Sequence, residues 1–366
     1  MKTSIYNLDQ YPLSDRNGSY GGNSGDKEGI FINNDYWIVK YPDSTKGLSN
    51  VGSLQFTSSP LSEYIGSHIY NILGYDVHDT VLGIRNDTLV VACKDFCDDT
   101  HNLYEFRQLK NAYGRELNKQ LETTFKTTGS DHFTDLRAII AHLKVNPTMV
   151  NMPELKTRFW DCVVIDGLIN NNDRNNSNWG ILSSKTDRQI APVFDNGSAF
   201  SPKISESKIR NKLANEQALI SGVLNTTTSY TIDGEHSLYF RDLLKLNIPD
   251  LKEAVLRTVP NIEQHISECK EFIREIPEKC GKYDIISKDR KEVYCKELDL
   301  RLEKILMPAL EQTKEEQTKQ VPEQQQGYEL SSLDDEIESA LAEQDNNHCK
   351  LGQSKDVFDR DEDEIR

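Results

Sequence analysis

Asp173 and Asn178, with Asp195 and Gly197 after a short hairpin-like stretch, are the residues of this chain best suited by type and spacing to chemistry. Phosphoryl transfer from a metal–nucleotide complex asks for three side chains of this kind. One carboxylate orients the attacking hydroxyl and takes its proton, while an amide oxygen and a second carboxylate hold the divalent ion. Asp173, Asn178 and Asp195 follow one another in the order that chemistry needs. The bland alternative is a turn. Six Asn crowd residues 170–178, and such side chains readily hydrogen-bond the backbone. Asp195-Asn196-Gly197 also reads as a hairpin turn. Its apolar flanks, residues 191–194 and 198–200, favour a held site over an exposed turn.

Four further parts must position such a trio. A glycine-rich turn brings backbone N–H groups close to phosphate oxygens, and Gly21, Gly22, Asn23, Ser24, Gly25 and Lys27 stand ahead of a hairpin. A lysine ends the next strand, Trp37-Ile38-Val39-Lys40, where its ammonium can reach phosphates. Glu63 lies early in an amphipathic helix expected over 60–73, with Ser59 as its cap and Pro60 in its first turn. Cys93, Lys94, Asp95 and Phe96 follow a hydrophobic strand and can offer backbone groups to a purine. Each part alone has an ordinary reading: a flexible loop, a strand lysine, an acid favoured by the helix dipole, a strand entering a loop. Their common order is what singles them out.

The surrounding elements follow the same plan. Strands are expected in the hairpin 29–41 and over 80–84 and 88–93. Helices are expected over 103–125, 133–143 and 153–169, the last ending at the Asp173 run. Short strands over 178–182 and 189–194 are followed by helices over 236–246, 250–258, 262–276 and 290–306. The chain is thus expected to divide into a strand-rich part, 1–97, a helical part, 98–311, and an acidic tail, 312–366, with the composition of disorder.

The 366 residues carry a net charge of −16, of which the tail's 16 acids and 6 bases supply −10. Such a balance argues against a general nucleic-acid or anionic-membrane surface. Inside the tail, Leu330, Leu333, Ile337, Ala340 and Leu341 are helically spaced. Segment 328–342 therefore reads either as a transient helix or as one that docks on this protein or a partner. Seven scattered cysteines without a C-x-x-C pair suggest reduced thiols and a cytoplasmic setting, though export without a leader would leave no mark. No stretch approaches the length of a membrane span.

From Gly21-Gly22-Asn23-Ser24-Gly25-Asp26-Lys27, Trp37-Ile38-Val39-Lys40-Tyr41-Pro42, Ser62-Glu63-Tyr64, residues 91–96 and above all residues 170–180 with Phe194-Asp195, the chain resembles the HipA-like kinases. The likeness covers about residues 15–310, in a short form without the family's extra N-terminal subdomain. It implies an α+β, two-lobed protein-kinase-like fold and an ATP- and Mg2+-dependent serine/threonine protein kinase. Asp173 is then the catalytic base, Asn178 and Asp195 the metal ligands, and Lys40 the phosphate-binding lysine. The resemblance also implies autophosphorylation in the glycine-rich loop, at Ser19 or Ser24, whose added charge would repel ATP phosphates. Asn171-Asn172 replaces the His-Arg that precedes the eukaryotic catalytic Asp. Asn175 stands where many members carry His, and Asn196 where D-F-G has Phe.

Two other functions fit the same residues. One is a kinase acting on a small molecule or lipid, against which the lack of a basic stripe counts for lipid only. The other is a nucleotide-binding interaction module without catalysis, which would not need Lys40, Asp173, Asn178 and Asp195 together. The protein substrate is not legible.

Overall fold

Asn33 and Asn34, at φ +52° and +71°, close a tight hairpin between strands β2 (Lys27–Ile32) and β3 (Asp35–Lys40). Left-handed φ at both turn positions matches the twist of the strands, and Asn tolerates it. The computed structural model describes residues 3–15, 26–48, 54–126, 134–232 and 236–319. Strands β1 (Tyr6–Asn7), β4 (Thr80–Arg85) and β5 (Thr88–Lys94) complete a five-stranded sheet in the order β1-β4-β5-β3-β2. Successive strand residues face opposite sides. Val39 and Trp37 join Leu8, Ile30, Val90 and Ala92 in a small core on one face. Lys40 therefore points to the other face, which helix α1 (Ser59–Ile72) covers.

α1 begins one residue earlier than the sequence suggests. Ser58 is its N-cap, and the Ser58 hydroxyl donates to the Pro202 carbonyl oxygen at 3.2 Å instead of capping the helix. Past the connector, the helix expected from residue 103 starts later: residues 103–105 belong instead to strand β6 (Asn102–Glu105), paired antiparallel with β8 (Gly180–Ser183). Helix α2 (Phe106–Gln120) opens on a capping box of Glu105 and Gln108. Strand β7 (Thr134–Asp135) precedes helices α3 (Leu136–Val145) and α4 (Pro147–Val150). Helix α5 (Pro153–Ile169) is buried nearly all round and forms the centre of the main core.

β9 (Arg188–Ile190) completes a three-stranded sheet with β6 and β8. Helices α6 (Glu206–Ala214) and α7 (Glu216–Leu224) went unrecognised in the sequence because they bury only Ile209, Leu219 and Val223. Strand β10 (Thr227–Thr231) pairs antiparallel with β11 (Ser237–Tyr239), which occupies part of the helix expected over 236–246 and leaves α8 (Phe240–Leu243). The two helices expected on either side of Pro260 are one, α9 (Pro249–Glu275). Val255, Val259 and Ile262 on its buried face carry it through the proline. Strands β12 (Lys279–Cys280) and β13 (Tyr283–Asp284) lead to α10 (Lys288–Arg301), a π-helical turn over Leu302–Leu306, and α11 (Met307–Lys319). The change of composition at Gln312 does not end α11. Gln312 donates to Glu316 at 2.8 Å, and Glu316 pairs with Lys252 of α9 at 2.6 Å.

The six described cysteines are free thiols. Among the described residues no helix is long and apolar enough to cross a membrane. Ser19, Ser24, the other glycine-rich-turn residues 18–25 and segment 328–342 lie outside the described residues.

Candidate active site

α5 stops because Asn170 adopts the left-handed conformation at φ +55°, its N–H bonded to the Asp166 carbonyl oxygen. The chain that follows is held by Asn side chains, as the turn reading anticipates. Asn171 accepts from the Asp173 N–H at 3.4 Å, and Asn175 accepts from the Ser177 N–H at 2.8 Å. Asn175 also donates to the Asp173 carboxylate at 3.0 Å. Asn175, where the resemblance leads one to expect His, thus supports the Asp173 carboxylate directly through an amide. Asp173 itself is exposed. Asn178 is buried, and its Nδ2 donates to the Asp173 carbonyl oxygen at 2.5 Å.

Strand, helix and second loop meet at Lys40. Its ammonium donates to Glu63 Oε2 at 2.8 Å and to Asp195 Oδ1 at 3.1 Å. Glu63 is 1% exposed and also takes the His78 Nε2 contact at 3.0 Å and the Asn196 N–H at 2.9 Å. Burial pushes the Glu63 carboxyl up, but the Lys40 charge and the His78 hydrogen bond outweigh it and hold it below the usual carboxylate range. Burial likewise works against the Lys40 ammonium. Asp195 and Glu63 more than reverse this and hold it well above its ordinary value. Asp195 is 44% exposed and sits at φ +58°, a left-handed backbone that Asp adopts more easily than branched residues.

The segment expected to face a purine, residues 93–96, is partly committed elsewhere. The Lys94 N–H donates to the Asp79 carbonyl oxygen at 2.8 Å and the Asp95 N–H to that of Tyr36 at 2.9 Å. The Lys94 ammonium pairs with Asp35 at 2.8 Å. Cys93 is buried, and burial raises its thiol. The Phe96 ring lies 5.5 Å from Phe194, and among the described residues the Phe96 N–H has no acceptor. Lys27 is the cross-strand neighbour of Lys40.

Sequence reasoning missed the residues that lock the two loops together. Arg174 is 2% exposed and donates to both Asp166 oxygens, at 2.9 and 3.1 Å. It also donates to the carbonyl oxygens of Asn178 at 3.1 Å and Phe194 at 2.5 Å, and to Asn196 Oδ1 at 2.6 Å. Asn196 is fully buried and donates through Nδ2 to Ser67 of α1 at 3.0 Å. A Cβ on Gly66 would stand 2.8 Å from Asn196 Cβ, so α1 approaches this loop only because residue 66 lacks a side chain. The available signal was Asp166, a lone acid in the apolar run 162–169.

No protein-family model matches the chain. A curated relative, the serine/threonine-protein kinase CtkA of Helicobacter pylori, is 34% identical over 250 residues, which span 67% of this chain and 72% of that protein. The crystal structure of the Helicobacter pylori proinflammatory kinase CtkA aligns with TM-score 0.72 and 29% identity, over 85% of this chain and 99% of that one. HipA of Shewanella oneidensis MR-1, solved with HipB and operator DNA, gives TM-score 0.45 at 13% identity over 82% and 70% of the two chains, too distant to add to this likeness.

Proposed function

Since the chain belongs to the CtkA-type serine/threonine-protein kinases, we propose that it transfers the terminal phosphoryl group of ATP, bound with Mg2+, to a serine or threonine hydroxyl of a protein. The kinase-like fold and the use of a nucleotide come with the family. The contact of Lys40 with both Glu63 and Asp195 carries the more specific reading, because it joins β3, α1 and the Asp195 loop at one cationic point.

The residues present fit a magnesium–nucleotide complex. Asp195 offers a half-exposed carboxylate, and Asn178 offers an Oδ1 that accepts no hydrogen bond from a described residue. Two oxygen donors suit a hard cation such as Mg2+. The bound complex supplies the phosphoryl group and offsets its charge. Lys40 neutralises phosphate oxygens, and the Phe96 N–H, which has no acceptor among the described residues, is a donor for the base. Asp173, steadied by Asn175, takes the proton of the attacking hydroxyl. Autophosphorylation at Ser19 or Ser24 is part of the same proposal, since charge added there opposes ATP phosphates.

The test is incubation of the purified protein with labelled ATP and Mg2+, followed by mass spectrometry. Incorporation into the protein and into an added protein acceptor is expected, with self-modification at Ser19 or Ser24. Asp173→Ala is expected to abolish incorporation with the fold retained. Undiminished transfer by that variant overturns the assignment of the base.

A further inference from the structure

Two buried side chains have no chemical part in the proposed transfer, the His78 imidazole and the Cys93 thiol. Both stand beside Glu63. The Cys93 sulfur, a His78 ring nitrogen and a Glu63 carboxylate oxygen all lie within 4.8 Å of one another. Among the described residues no other three His, Cys, Asp or Glu side chains bring their ligand atoms this close. They come from three supports that the fold fixes separately. Glu63 belongs to α1, and Cys93 to β5, which is hydrogen-bonded between β3 and β4. His78 precedes β4, its N–H held by the Val193 carbonyl oxygen at 3.1 Å. A thiol, an imidazole and a carboxylate are donor types of a tetrahedral Zn2+ site. Zn2+ bonds of roughly 2.0–2.3 Å put neighbouring ligands roughly 3.3–3.6 Å apart, so adjustments of about an ångström seat the ion. The His78 Nε2 to Glu63 Oε1 distance is already 3.0 Å.

We propose that Glu63, His78 and Cys93 form an inhibitory site for a sulfur-seeking divalent cation of the Zn2+ class. The chemistry selects the ion. Burial holds the Cys93 thiol up against the pull of the Lys40 charge, so the cation has to displace the proton itself. On binding, the S–H bond breaks, an S–Zn bond forms and the proton passes to solvent. Zn2+ takes thiolate ligands readily, whereas Mg2+ prefers oxygen donors. Inhibition follows from a shared ligand. Glu63 Oε2 holds the Lys40 ammonium at 2.8 Å, and a carboxylate drawn onto a cation gives up part of that contact. Lys40 is 22% exposed beside Glu63, which leaves the ion an approach from the solvent side. The inhibitory effect rests on the proposed function; the binding does not.

Titration of the full chain with Zn2+, at free concentrations set by a chelating buffer and without nucleotide, tests the site. One tightly held ion per chain is expected, with release of a proton. Co2+ in its place is expected to show a thiolate-to-metal charge-transfer band. Cys93→Ser and His78→Ala should each weaken binding by at least about 10²-fold, and Cys93→Ser should also remove the band. Cys97→Ser should change neither. Cys93→Ser nearly keeps the shape of the side chain, so the result does not depend on whether His78→Ala folds. In transfer assays with Mg2+ and ATP, Zn2+ should halve the wild-type rate at a free concentration at least about tenfold below the one that halves the Cys93→Ser rate. A wild type that binds no Zn2+ overturns the proposal. So does binding that survives Cys93→Ser, which would put the ion elsewhere. Zn2+ bound at an undiminished transfer rate overturns the inhibition. Because the titration needs no turnover, a chain that transfers no phosphate would sink the proposed function while the Zn2+ result still decides the site.

Discussion

Arg174 grips both carboxylate oxygens of Asp166, at 2.9 and 3.1 Å, with each partner almost wholly buried. Burial alone would lower the guanidinium, and Asp166 beside it more than reverses that. Asp166 in turn accepts from Tyr70 at 2.9 Å and Asn171 at 3.2 Å. The pair is thus the floor on which both the Asp173 and Asp195 loops rest. Arg174→Ala leaves a buried carboxylate without its cation and is expected to cost about 3–5 kcal/mol. Urea denaturation measures it. The double variant Asp166→Ala/Arg174→Ala should lose less than the sum of the two single losses; strict additivity would show that the two side chains act independently.

Lys40→Met removes the cation shared by Glu63 and Asp195 but leaves Glu63 its contacts with His78 and the Asn196 N–H. Phosphate transfer is expected to fall by about 10²-fold or more, with the folded state still populated by circular dichroism. A variant with near-normal turnover would remove Lys40 from the machinery.

Gly66 and Gly222 lie in helices and differ in what an added methyl group meets. Gly222→Ala in α7 faces open space and is expected to stabilise by about 0.5–1 kcal/mol through helix propensity. Gly66→Ala drives a Cβ to 2.8 Å from Asn196 Cβ and is expected to destabilise by about 1–3 kcal/mol, with lower activity because Asn196 adjoins Asp195. Equal stabilisation by both substitutions in denaturant melts would contradict the close approach of α1 to this loop.

His142, buried in α3 beside Phe106, is pushed down to about 3 by burial and then by the Lys110 charge. The folded protein therefore leaves it neutral at a pH where the unfolded chain, with an ordinary value of 6.5, takes up a proton. Its contribution is whole above pH 6.5 and is lost as the pH falls toward 3. Between pH 7 and pH 5 the loss amounts to about 2 kcal/mol. His142→Gln should flatten the pH dependence of the urea midpoint by that amount, whatever its stability at pH 7. An unchanged slope would show that His142 is not a source of the acid sensitivity.

The proposed function makes Asp195, and not its neighbours, a metal ligand. Asp195→Ala should weaken nucleotide binding measured with Mg2+ by at least about tenfold while changing binding in chelator much less. Equal losses in both conditions would mean that the carboxylate serves the fold and not the ion.

The sequence was most readable where spacing along the chain decides geometry. Lys40 at the end of its strand and Glu63 at the start of its helix do meet, because strand alternation and the helix start fix where each side chain points. It was least readable where partners are far apart. Nothing local says that Arg174 will bond Asn196, or that Asn196 will reach Ser67 across 129 residues. Residues 103–105 were expected in a helix but lie in a strand paired with β8, a pairing that the lack of a Cβ at Gly180 permits, since one there would strike the Tyr104 carbonyl. Pro260 misleads for a related reason: its cost is local, whereas the burial that outweighs it comes from packing against α5.

Asn196 is engaged at three points, through its backbone N–H to Glu63, its Nδ2 to Ser67 and its Oδ1 from Arg174. An outward swing of this residue would leave Glu63, Ser67 and the buried Arg174 each short of a partner. The space behind the Asp195 loop is therefore not one that a side chain vacates on turning. Inhibitors whose selectivity depends on entering such a vacated space have no counterpart here. A compound aimed at the proposed nucleotide site would instead have to find its contacts on Asp195, Lys40 and the Phe96 N–H.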